Sequence, residues 1–189
     1  MCGGRGTRLD AETEKPLFEV AGEPMVARVA DALAESRIET VHAVVSPHAP
    51  ETREFARTRE DLATVETPGE GYVPDLQAAL DAVEPPVLTV ASDLPLLKAD
   101  AVNSVLNVHE SPADGRGSVT VCVPAALKRA LGASLDTAFE RERDGRELAP
   151  TGINVVAETD SEIMHETHDA RFAVNVNRLS DAELAEELL

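Results

Sequence analysis

Several short segments of this 189-residue chain carry side chains whose types and spacing suit chemistry on phosphate. The first is Gly3-Gly4-Arg5-Gly6-Thr7-Arg8, with Glu14-Lys15-Pro16-Leu17 close behind. Glycines let backbone N–H groups approach phosphate oxygens, and consecutive N–H groups can form an anion-binding nest. Arg5 and Arg8 add forked, charge-assisted donors. The segment lacks the Gly-Lys-Ser/Thr of a P-loop and does not follow the dinucleotide fingerprint. A short glycine tract is usually just a flexible end; the nearby Lys15-Pro16 makes the pair far more specific. The second is Asp93, in Ser92-Asp93-Leu94-Pro95, directly after an apolar run. A carboxylate at the end of a buried strand can hold a divalent cation through oxygen, as magnesium prefers. The same side chain could instead cap a helix starting after Pro95. A second glycine segment, Pro68-Gly69-Glu70-Gly71, precedes Asp75, a weaker candidate for a second carboxylate.

These groups need a frame, and the apolar periodicity supplies one. Residues 25–33 place Val26, Val29, Ala30 and Leu33 on one helical face, with Pro24 before them. Residues 40–46 are a β-branched run ended by Pro47 and read as a strand. A charged helix over 50–62, a brief strand over 64–66 and an amphipathic helix over 74–83 follow. Residues 86–91 form a continuous apolar run, the pattern of a strand buried on both faces. Then come a helix over 99–108, a Gly/Pro/Asp-rich loop over 111–117 and a strand over 119–123. Residues 127–147, charged and poorly patterned, are expected to form a mobile insertion with some helix. Strands over 153–156 and 173–176 and a closing helix over 181–189 complete the chain. Strands alternating with helices predict a single α/β domain over 1–189, a Rossmann-like, doubly wound, mostly parallel sheet in three layers. Such sheets bind ligands beyond the carboxyl ends of their strands. Gly3, Gly69, Asp93 and Gly152 all fall at or near expected strand ends or loops.

Composition narrows the classes. Seventeen basic residues against thirty-five acidic ones give a net charge of −18, and the only lysines are Lys15, Lys98 and Lys128. So large a surplus repels itself at low salt and is screened at molar salt, where the Debye length is about 3 Å. Such a surface suggests a salt-loving host, with an ordinary acidic protein as the alternative, and nucleic-acid binding is disfavoured for want of a basic patch. No apolar run approaches the ~20 residues of a membrane span, and no secretory leader is evident. Cys2 and Cys122 suggest neither a zinc site nor a disulfide framework, so a cytoplasmic protein is expected. His165, Glu166, His168 and Asp169 could suggest a metal cluster but read more simply as a solvated acidic loop. His42 and Cys122, inside strand patterns, read as core or half-buried.

The pair GGxGTRL and EKPL resembles the nucleotidyltransferase superfamily that includes MobA-like molybdenum-cofactor guanylyltransferases and sugar-phosphate nucleotidyltransferases. Four further segments are similar to archaeal CobY-type GTP:adenosylcobinamide-phosphate guanylyltransferases: Gly69-Glu70-Gly71-Tyr72-Val73-Pro74-Asp75-Leu76, Ser92-Asp93-Leu94-Pro95-Leu96-Leu97, Pro150-Thr151-Gly152-Ile153-Asn154-Val155-Val156 and Val174-Asn175-Val176-Asn177. They span nearly the whole chain in order.

The resemblance implies a GT-A-like fold, GTP and adenosylcobinamide phosphate as substrates, Mg²⁺ as cofactor and a homodimer. GTP would be held by Gly3, Gly4, Arg5, Gly6, Thr7, Arg8, Lys15, Gly69 and Asp75. Arg8, Lys15 and Asp93 would be catalytic, Lys15 neutralising charge as the α-phosphorus is attacked and Asp93 carrying the metal. Arg5, Arg8 and Lys15 form a local basic focus against the global negative field. Gly152 and Asn154 would form a wall for the acceptor. Asn175 and Asn177 are read as facing opposite sides of a strand, with Asn175 assigned to the site. A molybdopterin or sugar 1-phosphate acceptor, and a non-catalytic GTP-binding module, remain alternatives. Family members carry a short apolar strand before the glycine loop, where this chain has only Met1-Cys2. That first strand is therefore expected to be missing, leaving the loop less well supported.

Overall fold

A computed structural model describes residues 1–2, 9, 13–111 and 116–189. The glycine-rich candidates Gly3, Gly4, Arg5, Gly6, Thr7 and Arg8 lie outside the described residues. A 3-10 turn over Lys15–Leu17 leads into a hairpin of β1 (Glu19–Val20) and β2 (Glu23–Pro24). Its turn residues Ala21 and Gly22 both have positive φ, 52° and 75°, the tight turn that matches strand twist. Helix α1 (Met25–Ala34), strand β3 (Val41–Val45), helix α2 (Pro50–Thr58) and strand β4 (Leu62–Glu66) follow. Next come α3 (Tyr72–Leu80), β5 (Val87–Val90) and α4 (Ala99–Glu110). The second half holds β6 (Ser118–Pro124), α5 (Ala125–Leu131), β7 (Phe139–Arg141), β8 (Arg146–Val156), β9 (Glu162–Glu166) and α6 (Leu179–Leu188).

The α/β class read from the alternation is the class observed. β3 and β4 pair in parallel. The larger sheet runs β5-β8-β6-β9, with β7 also on β8. β5, β6 and β7 are each antiparallel to β8, and β9 is parallel to β6. Four of these strands therefore share one direction and β8 alone is reversed, which makes the sheet mixed. Between β3 and β5 lie Met1 and Cys2: the Met1 ammonium donates to Val90 O and the Cys2 N–H to Val44 O, each at 2.8 Å.

Buried side chains follow the expected periods. Val29 from α1 and Val102 and Val105 from α4 pack on Val90, Val119, Val121, Ile153 and Val155 of the sheet, with Phe172 closing the cluster. A second cluster gathers Val20, Met25, Leu96, Val174, Val176 and Ala185 beneath the site described below.

Four expectations are corrected. Residues 127–147 are not an insertion without fixed structure. Within and before them, α5 turns at Gly132 (φ 80°), and β7 pairs with the start of β8. The charge pattern hid this because Lys128 and Arg141 are buried charges with partners, not solvated ones. Arg141 pairs with Asp144, whose carboxyl it draws down to about 2, and with Glu166 at 2.8 Å. Residues 162–166 are strand β9, so His165 pairs with Val121 instead of lying in a loop, and burial pushes its pKa down. Glu166 and Asp169 are engaged by arginines: Arg141 and Arg146 hold the first, Arg171 the second. Residues 173–176 form no strand; the segment is held instead by Val176 N–H on Asp93 O (2.9 Å). His42 is exposed, whereas Cys122 is fully buried.

Candidate active site

Asp93 sits three residues past the end of β5, in a turn. Helix α4 begins only at Ala99 with Lys98 as its N-cap, so Asp93 caps no helix and its carboxylate is left for other work. One oxygen, Oδ2, accepts from Lys15 Nζ at 2.6 Å. The other, Oδ1, accepts from Asn175 Nδ2 at 3.1 Å. Lys15 Nζ also donates to Asn177 Oδ1 at 2.7 Å. Two oxygens, Asp93 Oδ2 and Asn177 Oδ1, thus converge on one cationic group.

The local sequence explains this convergence. Pro16, in the first turn of its 3-10 helix, has a preset φ and fixes how Lys15 leaves the chain. Glu14 anchors the turn from the other side. Its carboxylate accepts from Glu51 N–H, Thr52 N–H and Thr52 Oγ1–H at 2.9, 2.8 and 2.6 Å. The two backbone N–H groups are orphan donors at the start of α2, so a residue from another element caps that helix. Val174 and Val176, both fully buried, turn the opposite edge of their extended segment toward Asp93. Residues two apart in an extended chain share a side, so Asn175 and Asn177 both face the site, against the expectation of opposite faces. Asp181, 1% exposed, holds the end of that segment by accepting from Asn177 N–H and Arg178 N–H at 3.0 and 2.9 Å.

Beside Asp93 and Lys15 opens a cavity of about 490 Å³, also lined by Thr67, Gly69, Gly71 and Asp75. Gly69 (φ 77°) and Gly71 (φ 126°) adopt backbone conformations costly to other residues. Asp75 is 6% exposed and its Oδ1 accepts the Gly69 N–H at 2.8 Å, bracing the loop. Tyr72, which lines the cavity at the start of α3, and its neighbour Val73 are 57% and 73% exposed. Gly152 (φ 84°) lies where a Cβ would come within 2.8 Å of Ala91 Cβ, and its carbonyl accepts the Ala91 N–H. It lets β8 approach the chain leaving β5, close to Asn175. Asn154 lies within the sheet, its backbone oxygen accepting from Thr89 Oγ1, and is not among the residues lining the cavity.

Lys15, Asp93, Gly69 and Asp75 therefore line the cavity; Asn175 sits behind it, bonded to Asp93, with Gly152 beside Asn175, and Asn154 is set back within the sheet. Asn177 was set aside in favour of Asn175, and no role was read for Lys128 or for the Glu14 carboxylate. The two-residue spacing of Asn175 and Asn177 would have pointed to Asn177. Lys128 gave no signal beyond being one of three lysines.

The model of the MobA-like NTP transferase domain matches residues 1–159. The chain belongs to this family. As a MobA-like domain it is a nucleotidyltransferase, and such enzymes act on a nucleoside triphosphate and a phosphorylated acceptor. It is 28% identical over 200 aligned positions to the adenosylcobinamide-phosphate guanylyltransferase of Methanocaldococcus jannaschii, covering all of this chain and 95% of that one. It is 29% identical to the bifunctional protein GlmU of Bifidobacterium animalis subsp. lactis over 82% of this chain, but spans only 36% of that protein. Among solved structures, a hypothetical transferase from Thermus thermophilus superposes with a TM-score of 0.68 at 17% identity, over 96% of both chains. A putative glucose-1-phosphate thymidylyltransferase from Bacillus anthracis gives 0.67 at 14% identity, over 98% of this chain and 93% of that one. Both share the nucleotidyltransferase fold. Among the described residues no helix is long and apolar enough to cross a membrane.

Proposed function

We propose that this MobA-like domain is a magnesium-dependent guanylyltransferase that moves GMP from GTP to adenosylcobinamide phosphate. An oxygen of the acceptor phosphate attacks the α-phosphorus of GTP; the bond to the β-phosphate breaks and pyrophosphate leaves. The observation that carries this reading is Lys15 Nζ held between Asp93 Oδ2 and Asn177 Oδ1 beside the cavity. The full-length likeness to the Methanocaldococcus enzyme supports the choice of substrates.

The donor set suits a hard cation. Asp93 Oδ2 and Asn177 Oδ1 already converge on an ammonium, and magnesium prefers oxygen ligands while leaving several positions to water and phosphate. Asp93, with Asn177, would hold it. Bound there, magnesium supplies positive charge against the phosphates of the triphosphate.

The chain's own residues do the rest. Lys15 turns its ammonium from the two oxygens to the α-phosphate and stabilises the charge that develops in transfer. The segment Gly3-Gly4-Arg5-Gly6-Thr7-Arg8 is assigned to the triphosphate, for which its glycine N–H groups and arginines would supply donors and positive charge. Gly69, braced by Asp75, lines the nucleotide side of the cavity. The acceptor phosphate is ionised near neutral pH, so no general base is required, and positioning carries much of the rate.

Pyrophosphate release from GTP with adenosylcobinamide phosphate, molybdopterin or a sugar 1-phosphate, in molar KCl with Mg²⁺, tests the reading. Release with the corrinoid acceptor alone is expected. Release with only another acceptor transfers the activity to that substrate, and tight GTP binding with none leaves a nucleotide-binding module.

A further inference from the structure

The most deeply buried ammonium described in the molecule has no part in the chemistry above. Lys128, on α5, is 4% exposed. Its Nζ donates to Ala173 O at 2.6 Å and to Asn175 Oδ1 at 3.2 Å. Burying a charge costs several kcal/mol, and a lone carbonyl such as Ala173 O could be satisfied by a hydroxyl or a water for far less. Desolvation pushes the Lys128 pKa down, opposed by the carboxylates of Asp181, Asp93 and Asp136.

What an ammonium does that a hydroxyl cannot is to admit acceptors only. The Asn175 amide has one oxygen and one NH2. With Oδ1 on Lys128, its Nδ2 faces Asp93 Oδ1 (3.1 Å) and Thr151 O (2.9 Å). The flipped amide would set NH2 against an ammonium and an oxygen against a carboxylate and a carbonyl. Every contact would then be repulsive. Lys128 therefore fixes Asn175, and Asn175 fixes which way the Asp93 carboxylate is turned. Lys15 cannot serve this purpose, since it lies at the cavity and must leave Asp93 in the reaction described above.

We infer that Lys128 is a positioning residue which, through the Asn175 amide, locks the Asp93 carboxylate so that Oδ2 is presented toward Asn177 Oδ1 at the cation site. This rests on the reading of Asp93 as the metal-bearing carboxylate. An orienting partner bonded to a metal ligand, here Asn175, is worth about 10–100-fold in activity or metal affinity, and that range bounds the effect of losing the Lys128 that fixes it.

The test uses the full chain with Lys128→Met and Lys128→Arg. In the ligand-free protein, the side-chain amide pair of Asn175 is identified by its loss in Asn175→Ala. It is expected as one well-separated pair of proton signals in the wild type, and as shifted or doubled signals in Lys128→Met. With GTP and acceptor, Lys128→Met should lower kcat by about 10–100-fold, with KM for GTP changed less than about threefold. An amide pair unmoved in Lys128→Met, or a wild-type kcat, overturns the inference. Should Lys128→Met not fold, Lys128→Arg is read the same way: a displaced amide pair with reduced kcat is expected, and wild-type values of both overturn it. A wild type that releases no pyrophosphate defeats the functional reading instead, and the amide signal then decides the role of Lys128 alone.

Discussion

Lys15 and Asp93 are 78 residues apart in sequence, yet Lys15 Nζ lies 2.6 Å from Asp93 Oδ2. Both side chains are largely enclosed, at 19% and 16% exposed, so the pair is screened less than one on the surface. If Asp93 carries magnesium as proposed, the ammonium holds the oxygens that the ion would need, and the two cations would compete.

Lys15→Met should therefore have two effects. Loss of the transition-state donor lowers kcat by about 10²–10³-fold. Removal of the competing ammonium lowers the Mg²⁺ concentration needed for half-maximal activity. Pyrophosphate release across a Mg²⁺ titration reads both. Lys15→Arg should restore little, because a planar fork cannot replace a point charge between two oxygens.

Asp75 is expected to act on the nucleotide loop and not on the metal. Asp75→Ala strands the Gly69 N–H and should cost about 1–3 kcal/mol of stability while raising KM for GTP. Asp75→Asn keeps an acceptor and should stay near wild type. The Mg²⁺ dependence of both variants should be unchanged; a weakened response would make Asp75 a metal ligand after all.

Gly152→Ala should destabilise the fold by about 1–3 kcal/mol from backbone strain, with the 2.8 Å approach to Ala91 Cβ adding to it. Denaturant midpoints check this. A midpoint equal to wild type would mean that β8 moves freely away from the chain leaving β5.

Burial pushes the Cys122 thiol up to about 11. Its ordinary value is about 8.5, so between these values the unfolded chain has lost a proton that the folded chain keeps. Stability conferred by the neutral thiol is thus present below about pH 8.5 and is lost as pH rises toward 11. Thermal midpoints from pH 8 to 11 should fall less steeply in Cys122→Ala than in the wild type.

A net charge of −18 opposes compaction at low ionic strength. Raising KCl from tens of millimolar to molar should raise the melting temperature by several degrees, most steeply at the low end, where screening changes fastest. A flat profile would show that the acidic side chains are spaced too widely to repel.

The alternation of helices and strands was legible because apolar side chains recur at the periods their burial demands, as on α1 and β5. Lys15 and Asp93 were legible because lysine beside proline, and aspartate at a strand end, are unusual enough to notice. The support around them was not. Lys128 and Arg141 are charges that the fold buries, and a pattern of charges alone cannot say which ones will find partners. Asn177 was set aside through a wrong period, not a missing signal. Glu14 caps a helix that begins 36 residues later in the chain, and no local pattern announces such a partner.

Tyr72, on the rim of the cavity, and its neighbour Val73 are exposed, while Lys15, Asp93 and Asn175 are tied into interior networks. The two parts therefore differ in what change costs them. Substitutions on the rim are nearly free for folding, whereas substitutions beneath it unsettle several partners at once. An ancestor could keep the interior network intact while drifting through rim sequences at little risk to the fold. A laboratory library confined to the first turn of α3 would exploit the same asymmetry.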